Sequence, residues 1–190
     1  MNGSDLTNFE ITSALERGVR QLVLIAPQQT SADLAASWDG SLQVFAVDEE
    51  ERAAPDADFV RTRFGSEGLD TALARSHFDQ FKATLFIWLG HASYRTLDAA
   101  LSTLSFIASL PKGSGVLFDY AAERSAPEAV SGAALDAFAS RFSCATGVVK
   151  YMIQPQAVAA LLRGLGFGHM ADHRDEELPC FERHIVSAVV

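Results

Sequence analysis

The sequence predicts one α/β domain built on a doubly wound sheet of seven strands, mostly parallel, with an antiparallel strand at its C-terminal end. Three observations predict it. Short apolar runs alternate with stretches of helical period along most of the chain. The strongest runs are apolar at consecutive residues, as strands covered on both faces are. At the C-terminus two strand-like runs follow each other with no helix between them. Regular β-α alternation implies parallel strands with right-handed crossovers. The last two runs most simply pair antiparallel, as a hairpin at one side of the sheet.

The elements follow in order. Residues 1–20 form an N-terminal helical segment. Gln21 to Ala26 is the first buried strand, stopped by Pro27. Asp33 to Trp38 reads as a short helix. Leu42 to Asp48 is the second strand and ends in an acid. Asp58 to Phe64 alternates in polarity, so it is a third strand nearer an edge. Leu69 to Phe78 is helical, and Ala83 to Gly90 is the fourth strand. Leu97 to Leu110 repeats apolar residues at helical spacing, with Thr96 as its N-cap and Pro111 as its stop. Lys112 to Gly115 is a turn into the fifth strand, Val116 to Tyr120. Pro127 to Phe142 is a helix opened by proline. Gln156 to Leu165 is another, ended by Gly166. Phe167 to His173 and His184 to Val190 are the closing strands, and the acidic stretch between them, with Asp175, Glu176, Glu177 and Pro179, is a solvated turn.

The 190 residues fit a single domain, 1–190. With 48% hydrophobic and 21% charged residues, the chain has the composition to bury a core. Its net charge is −9, and three of its fifteen basic residues are lysine. That balance excludes a general nucleic-acid or anionic-membrane surface, both of which need basic patches. It suits a small-molecule substrate or a protein partner. Cys144 and Cys180 form no paired motif. The start has no charged-then-apolar leader, and no apolar run reaches membrane-spanning length. A cytoplasmic protein is the expectation.

In a doubly wound sheet, ligands bind beyond the carboxyl ends of the strands, where strand order reverses. Asp48 closes the second strand, where an acid can accept hydrogen bonds from both hydroxyls of a ribose. It also opens the acidic run Asp48 to Glu51, so surface solvation is an equal reading. The loop after the first strand runs Ala26-Pro27-Gln28-Gln29-Thr30-Ser31 and contains no glycine. Close approach of backbone to a cofactor ordinarily needs one there. Pro27 also removes a backbone donor. His91 and Tyr94 follow the fourth strand at the same end, as a base and an orienting group, or as a surface residue and a packing residue. His169 and His173 are read as surface strand residues rather than metal ligands. No Gly-x-Ser-x-Gly elbow is present.

Several of these segments resemble the leucine carboxyl methyltransferase family, including its bacterial branch of S-adenosylmethionine (SAM)-dependent O-methyltransferases. Gly18 to Ile25 resembles the lead into that family's first strand. Val44 to Asp48 is similar to its second strand, whose closing acid binds the ribose. Leu89 to Thr96 resembles its Gly-then-Tyr-Leu-Thr segment. Thr103 to Pro111, continuing to Asp119-Tyr120, is the closest match, and Leu161 to Phe167 resembles its last helix and Gly-Phe exit. The likeness runs from about Arg17 onward. It implies a Rossmann-like class I methyltransferase sheet with SAM as cofactor. The reaction implied is methyl transfer to a carboxylate or hydroxyl of a small molecule. Cofactor contacts fall at Ala26, Pro27, Gln28, Asp48, Arg63, Phe64, Leu89 and Gly90, with the acceptor positioned by Tyr94 and His91. No catalytic side chain is singled out, because transfer of an activated methyl group needs mainly proximity and alignment.

The chain departs from that pattern in three places. The family's Gly-Ala-Gly loop is replaced by Ala26 to Ala32. Arg63 stands where an acid would accept from the adenine amine, and arginine has no acceptor. Family members also carry a longer N-terminal lid, of which residues 1–20 would be a remnant. These departures support a second reading, a catalytically silent relative that acts as a partner subunit, in a homo- or hetero-oligomer, or binds a small ligand. A nicotinamide-dependent oxidoreductase is a third, opposed by the missing Gly-x-Gly-x-x-Gly and by the final hairpin.

Overall fold

The computed structural model describes residues 3–27, 42–51, 57–64, 66–90, 97–122, 153–177 and 182–190. They form α1 (Gly3–Glu16), β1 (Gln21–Ile25), β2 (Gln43–Asp48), β3 (Asp58–Arg61), α2 (Leu69–Leu73), β4 (Thr84–Trp88), α3 (Leu97–Ala108), β5 (Gly115–Ala122), α4 (Pro155–Leu165), β6 (His169–Glu177) and β7 (Glu182–Val189). The helices expected at 33–38 and 127–142, the cap at Thr96 and both cysteines lie outside the described residues.

The seven strands form one sheet in the order β3-β2-β1-β4-β5-β7-β6. β1 pairs in parallel with β2 and β4, and order reverses there. β7 enters between β5 and β6, antiparallel to both. The expected hairpin is therefore present, and its second strand is the one that joins the sheet.

Alternation along the strands divides the core in two. Val23, Phe45, Phe86 and Phe118 face α2, α3 and α4 through Leu73, Ile107 and Leu162. Leu22, Leu24, Val44 and Ile87 face α1 through Ile11 and Ala14. Leu6 of α1 meets Leu117 and Ile185. Cover on both faces is why β1 reads as an unbroken apolar run. Phe78 packs edge-on against Phe45 and Phe86, at centroid distances of 5.7 and 6.4 Å. Gln21, 1% exposed, locks the amino end of β1. It donates to the Asp79 carbonyl and the Thr84 hydroxyl and accepts from the Asp79 amide. Gly115 begins β5 because a Cβ there would stand 2.8 Å from the Ala188 carbonyl oxygen.

Three expectations are corrected. The helix at 69–78 stops at Leu73, because the Ser76 hydroxyl donates to the Leu73 carbonyl and accepts from the Phe78 amide. The third strand ends at Arg61, since the amides of Ser66 and Glu67 fold back onto the Arg63 carbonyl. Asp175, Glu176 and Glu177 belong to β6. The ladder with β7 continues through them: Asp175 pairs with Arg183 at 3.2 Å, and a register shift between Arg174 and Glu176 absorbs an extra residue. The left-handed cap at Gly166 (φ 106°) and the proline opening α4 are as expected.

Candidate functional site: the carboxyl rim of the sheet

The parallel registers set one height for the strand ends. Ile25 pairs with Val47, Asp48 with Arg61, Leu24 with Ile87 and Trp88 with Phe118. Carried on to the rim, they bring Ala26, Leu89 and Asp119 level with Asp48, and Pro27, Gly90 and Tyr120 one residue beyond it. The order reversal at β1 and β4 opens the crevice on this rim.

The first loop leaves β1 through Ala26. Its amide still donates to the Val47 carbonyl at 2.8 Å. Its φ is 46°, and among the described non-glycine residues it alone has a positive φ. An L-residue in that region carries a penalty of about 1–2 kcal/mol, because Cβ crowds the following carbonyl. The chain thus makes at Ala26 the left-handed turn a glycine makes without strain. Composition alone hid this shape. Pro27 follows, buried, and Gln28 lies outside the described residues.

Asp48 is 5% exposed, and its Oδ1 accepts from the Glu49 amide at 2.7 Å. Such burial removes it from the solvated run that follows. Beyond β3, Arg63 is exposed and Phe64 half-buried. Beyond β4, Leu89 is half-buried and Gly90 buried, with φ 113°. His91 and Tyr94 lie outside the described residues.

Two polar clusters at this height escaped the sequence reading. Asp119 is fully buried in β5. Its Oδ1 accepts from the Gly90 amide at 2.8 Å, and its Oδ2 from Arg183 Nε at 2.9 Å. An acid inside the apolar run Val116 to Ala122 was the available signal. On the opposite sheet face, the Tyr120 hydroxyl donates to Asp172 Oδ2 at 2.7 Å, and His184 Nδ1 lies 2.8 Å from Asp172 Oδ1. His184 Nε2 stands 3.5 Å from Glu182, which Arg174 pairs at 3.2 Å. Burial, and then the Asp172 carboxylate, raise the Tyr120 phenol well above its ordinary range. Nothing in local sequence joins these residues; the β5-β7-β6 register does. His169 and His173 share β6, and the described residues contain no group of three or more metal-ligating side chains. Among the described residues no helix is long and apolar enough to cross a membrane.

Sheet order and the final antiparallel strand are those of a Rossmann-like methyltransferase fold. Solved structures share it. A SAM-dependent methyltransferase from Archaeoglobus fulgidus matches with a TM-score of 0.60 at 11% identity, over 99% of this chain and 95% of that one. The 1,6-didemethyltoxoflavin-N1-methyltransferase of Burkholderia thailandensis, with S-adenosylhomocysteine bound, gives 0.57 at 16%, over 99% and 78%. Human N-acetylserotonin methyltransferase in complex with SAM gives 0.58 at 12%, over 98% and 50%. No protein-family model matches the chain, and no curated protein matches it by sequence. At these identities the likeness is one of fold.

An adenosyl cofactor needs an acceptor for its ribose hydroxyls and space over the strand ends. A buried acid at the end of β2, a left-handed turn at Ala26 and a glycine beyond β4 fit its ribose and its close passage over the sheet. Arg63, exposed beyond β3, has no acceptor to offer an adenine amine.

Proposed function

We propose that this chain binds SAM at the rim between β1, β2 and β4 and transfers its methyl group to a carboxylate or hydroxyl of a small molecule. The burial of Asp48 beside the left-handed turn at Ala26 carries this reading. A carboxylate held there, with one oxygen engaged by the next amide, is oriented to accept from ribose hydroxyls. Bound SAM supplies a methyl group already activated on sulfur, so the chain's task is to hold donor and acceptor in line. Ala26 and Pro27 shape the wall beside the cofactor, and Gly90 leaves room for it. Asp119 fixes Gly90 and is a positioning residue. Descent from the leucine carboxyl methyltransferase family, with Tyr94 and His91 near the acceptor, is the finer form of this reading.

A silent, partner-binding relative is the second reading. The Cβ of Ala26 and the guanidinium of Arg63 favour it, since both stand where this cofactor needs space or an acceptor.

Calorimetric titration with S-adenosylhomocysteine, with thermal unfolding alongside, decides between them. Ligand at about a hundred times its Kd stabilises a protein by about 2.7 kcal/mol. At this size each kcal/mol raises Tm by about 2–4 °C. Saturable binding that Asp48→Ala weakens at least about tenfold is the expected result. Absence of both heat and shift at millimolar ligand would sink the methyltransferase reading and leave the silent one.

A further inference from the structure

The outer edge of β3 opens into a groove of about 580 Å³. Three arginines, Arg61, Arg63 and Arg75, line it together with Phe59, Ser66 and Glu67. Arg61 lies over the Phe59 ring, 6.0 Å from its centroid. Arg75 bridges both oxygens of Glu67 and donates to the Arg61 carbonyl at 3.0 Å. Glu67, the groove's one acid, is thus neutralised in place, and the Arg75 guanidinium holds its carboxyl below the ordinary carboxylate range. Among the described residues, Arg61 and Arg63 make no ion pair. The groove is a local excess of positive charge on a chain of net charge −9.

Charge along an exposed edge strand discourages pairing with other chains. That accounts for Arg61 and Arg63 on β3 and the turn after it. It does not account for a third guanidinium brought from beyond α2 to the same groove, tied so that Glu67 no longer opposes an anion.

The geometry points to this groove as a binding site for a phosphate group, next to the ribose acid Asp48, whose register partner is Arg61. Guanidinium forks match phosphate oxygens in bidentate fashion and stay charged at all working pH values. The two guanidinium forks of Arg61 and Arg63 offer more donors than the two oxygens of a carboxylate take up. The phosphate is either free or carried on an organic molecule whose apolar part rests on Phe59.

The test titrates the full chain with inorganic phosphate, phenyl phosphate and acetate at neutral pH and constant ionic strength. Expected is saturable one-to-one binding of phosphate, with acetate weaker by about tenfold or more. Arg61→Gln/Arg63→Gln should weaken phosphate by about tenfold or more. Lys112→Gln/Arg163→Gln changes net charge equally at exposed sites elsewhere and should not weaken it. Tighter binding of phenyl phosphate identifies an organic phosphate as the source; equal affinity identifies free phosphate. Circular dichroism confirms that each variant is folded. Asp48→Ala should keep phosphate binding while weakening S-adenosylhomocysteine, so failure of this site is distinguishable from failure of the cofactor reading. No saturable binding, equal loss in both double variants, or acetate binding as tightly as phosphate would each overturn the assignment.

Discussion

The Gly90 amide donates to Oδ1 of Asp119 over 2.8 Å, so an acid inside β5 fixes the chain as it leaves β4. The other oxygen of Asp119 holds Arg183 of β7 at 2.9 Å. One buried carboxylate therefore ties the rim glycine to the antiparallel strand that completes the sheet.

Asp119→Ala removes both links and leaves Arg183, 24% exposed at its side chain, with Asp175 as its one remaining ion-pair partner among the described residues. Breaking a buried pair from one side costs about 3–5 kcal/mol. Thermal unfolding should fall by about 6–20 °C at this chain length. A drop under about 2 °C, the equivalent of less than 1 kcal/mol, would show that Asp119 does not anchor the rim.

Ala26→Gly relieves the left-handed strain at φ 46° while adding freedom to the unfolded chain. Relief of about 1–2 kcal/mol exceeds the entropic cost of about 0.4–1 kcal/mol, so the urea midpoint should rise slightly. Ala26→Val should lower it, because branching at Cβ is worse at positive φ. A midpoint unchanged in both variants would mean that this turn carries no strain in solution.

Tyr120→Phe removes the hydroxyl that donates to Asp172. The cost is about 1 kcal/mol, since Asp172 is exposed and can turn to water. Its pH dependence is the sharper test. The folded phenol titrates above the ordinary value of 10.0. Below that value both states hold the proton, and the stabilisation is complete. Above it the unfolded state loses its proton first, and stability falls as pH rises. Denaturant melts between about pH 9 and 11 should show a steeper loss in the wild type than in Tyr120→Phe. Parallel curves would contradict the raised phenol.

The sequence determined the seven strands, the side they cover and the final antiparallel hairpin. Apolar periodicity is a local property, and burial on two faces leaves its mark residue by residue, as in Gln21 to Ile25. It also placed Asp48 at the end of β2. The tertiary structure decided the rest, because it depends on partners far apart in the chain. Asp175 to Glu177 read as a turn, yet they pair with β7, where Asp175 meets Arg183. Tyr120, Asp172 and His184 share no motif and meet only because β7 lies between β5 and β6. Ala26 looked like the loss of a glycine, yet its backbone bends as a glycine's would, since conformation follows the ladder bond to Val47 as well as residue type. Residue identity fixes which atoms can donate, accept or crowd; only the register of the folded sheet fixes which of them stand within reach.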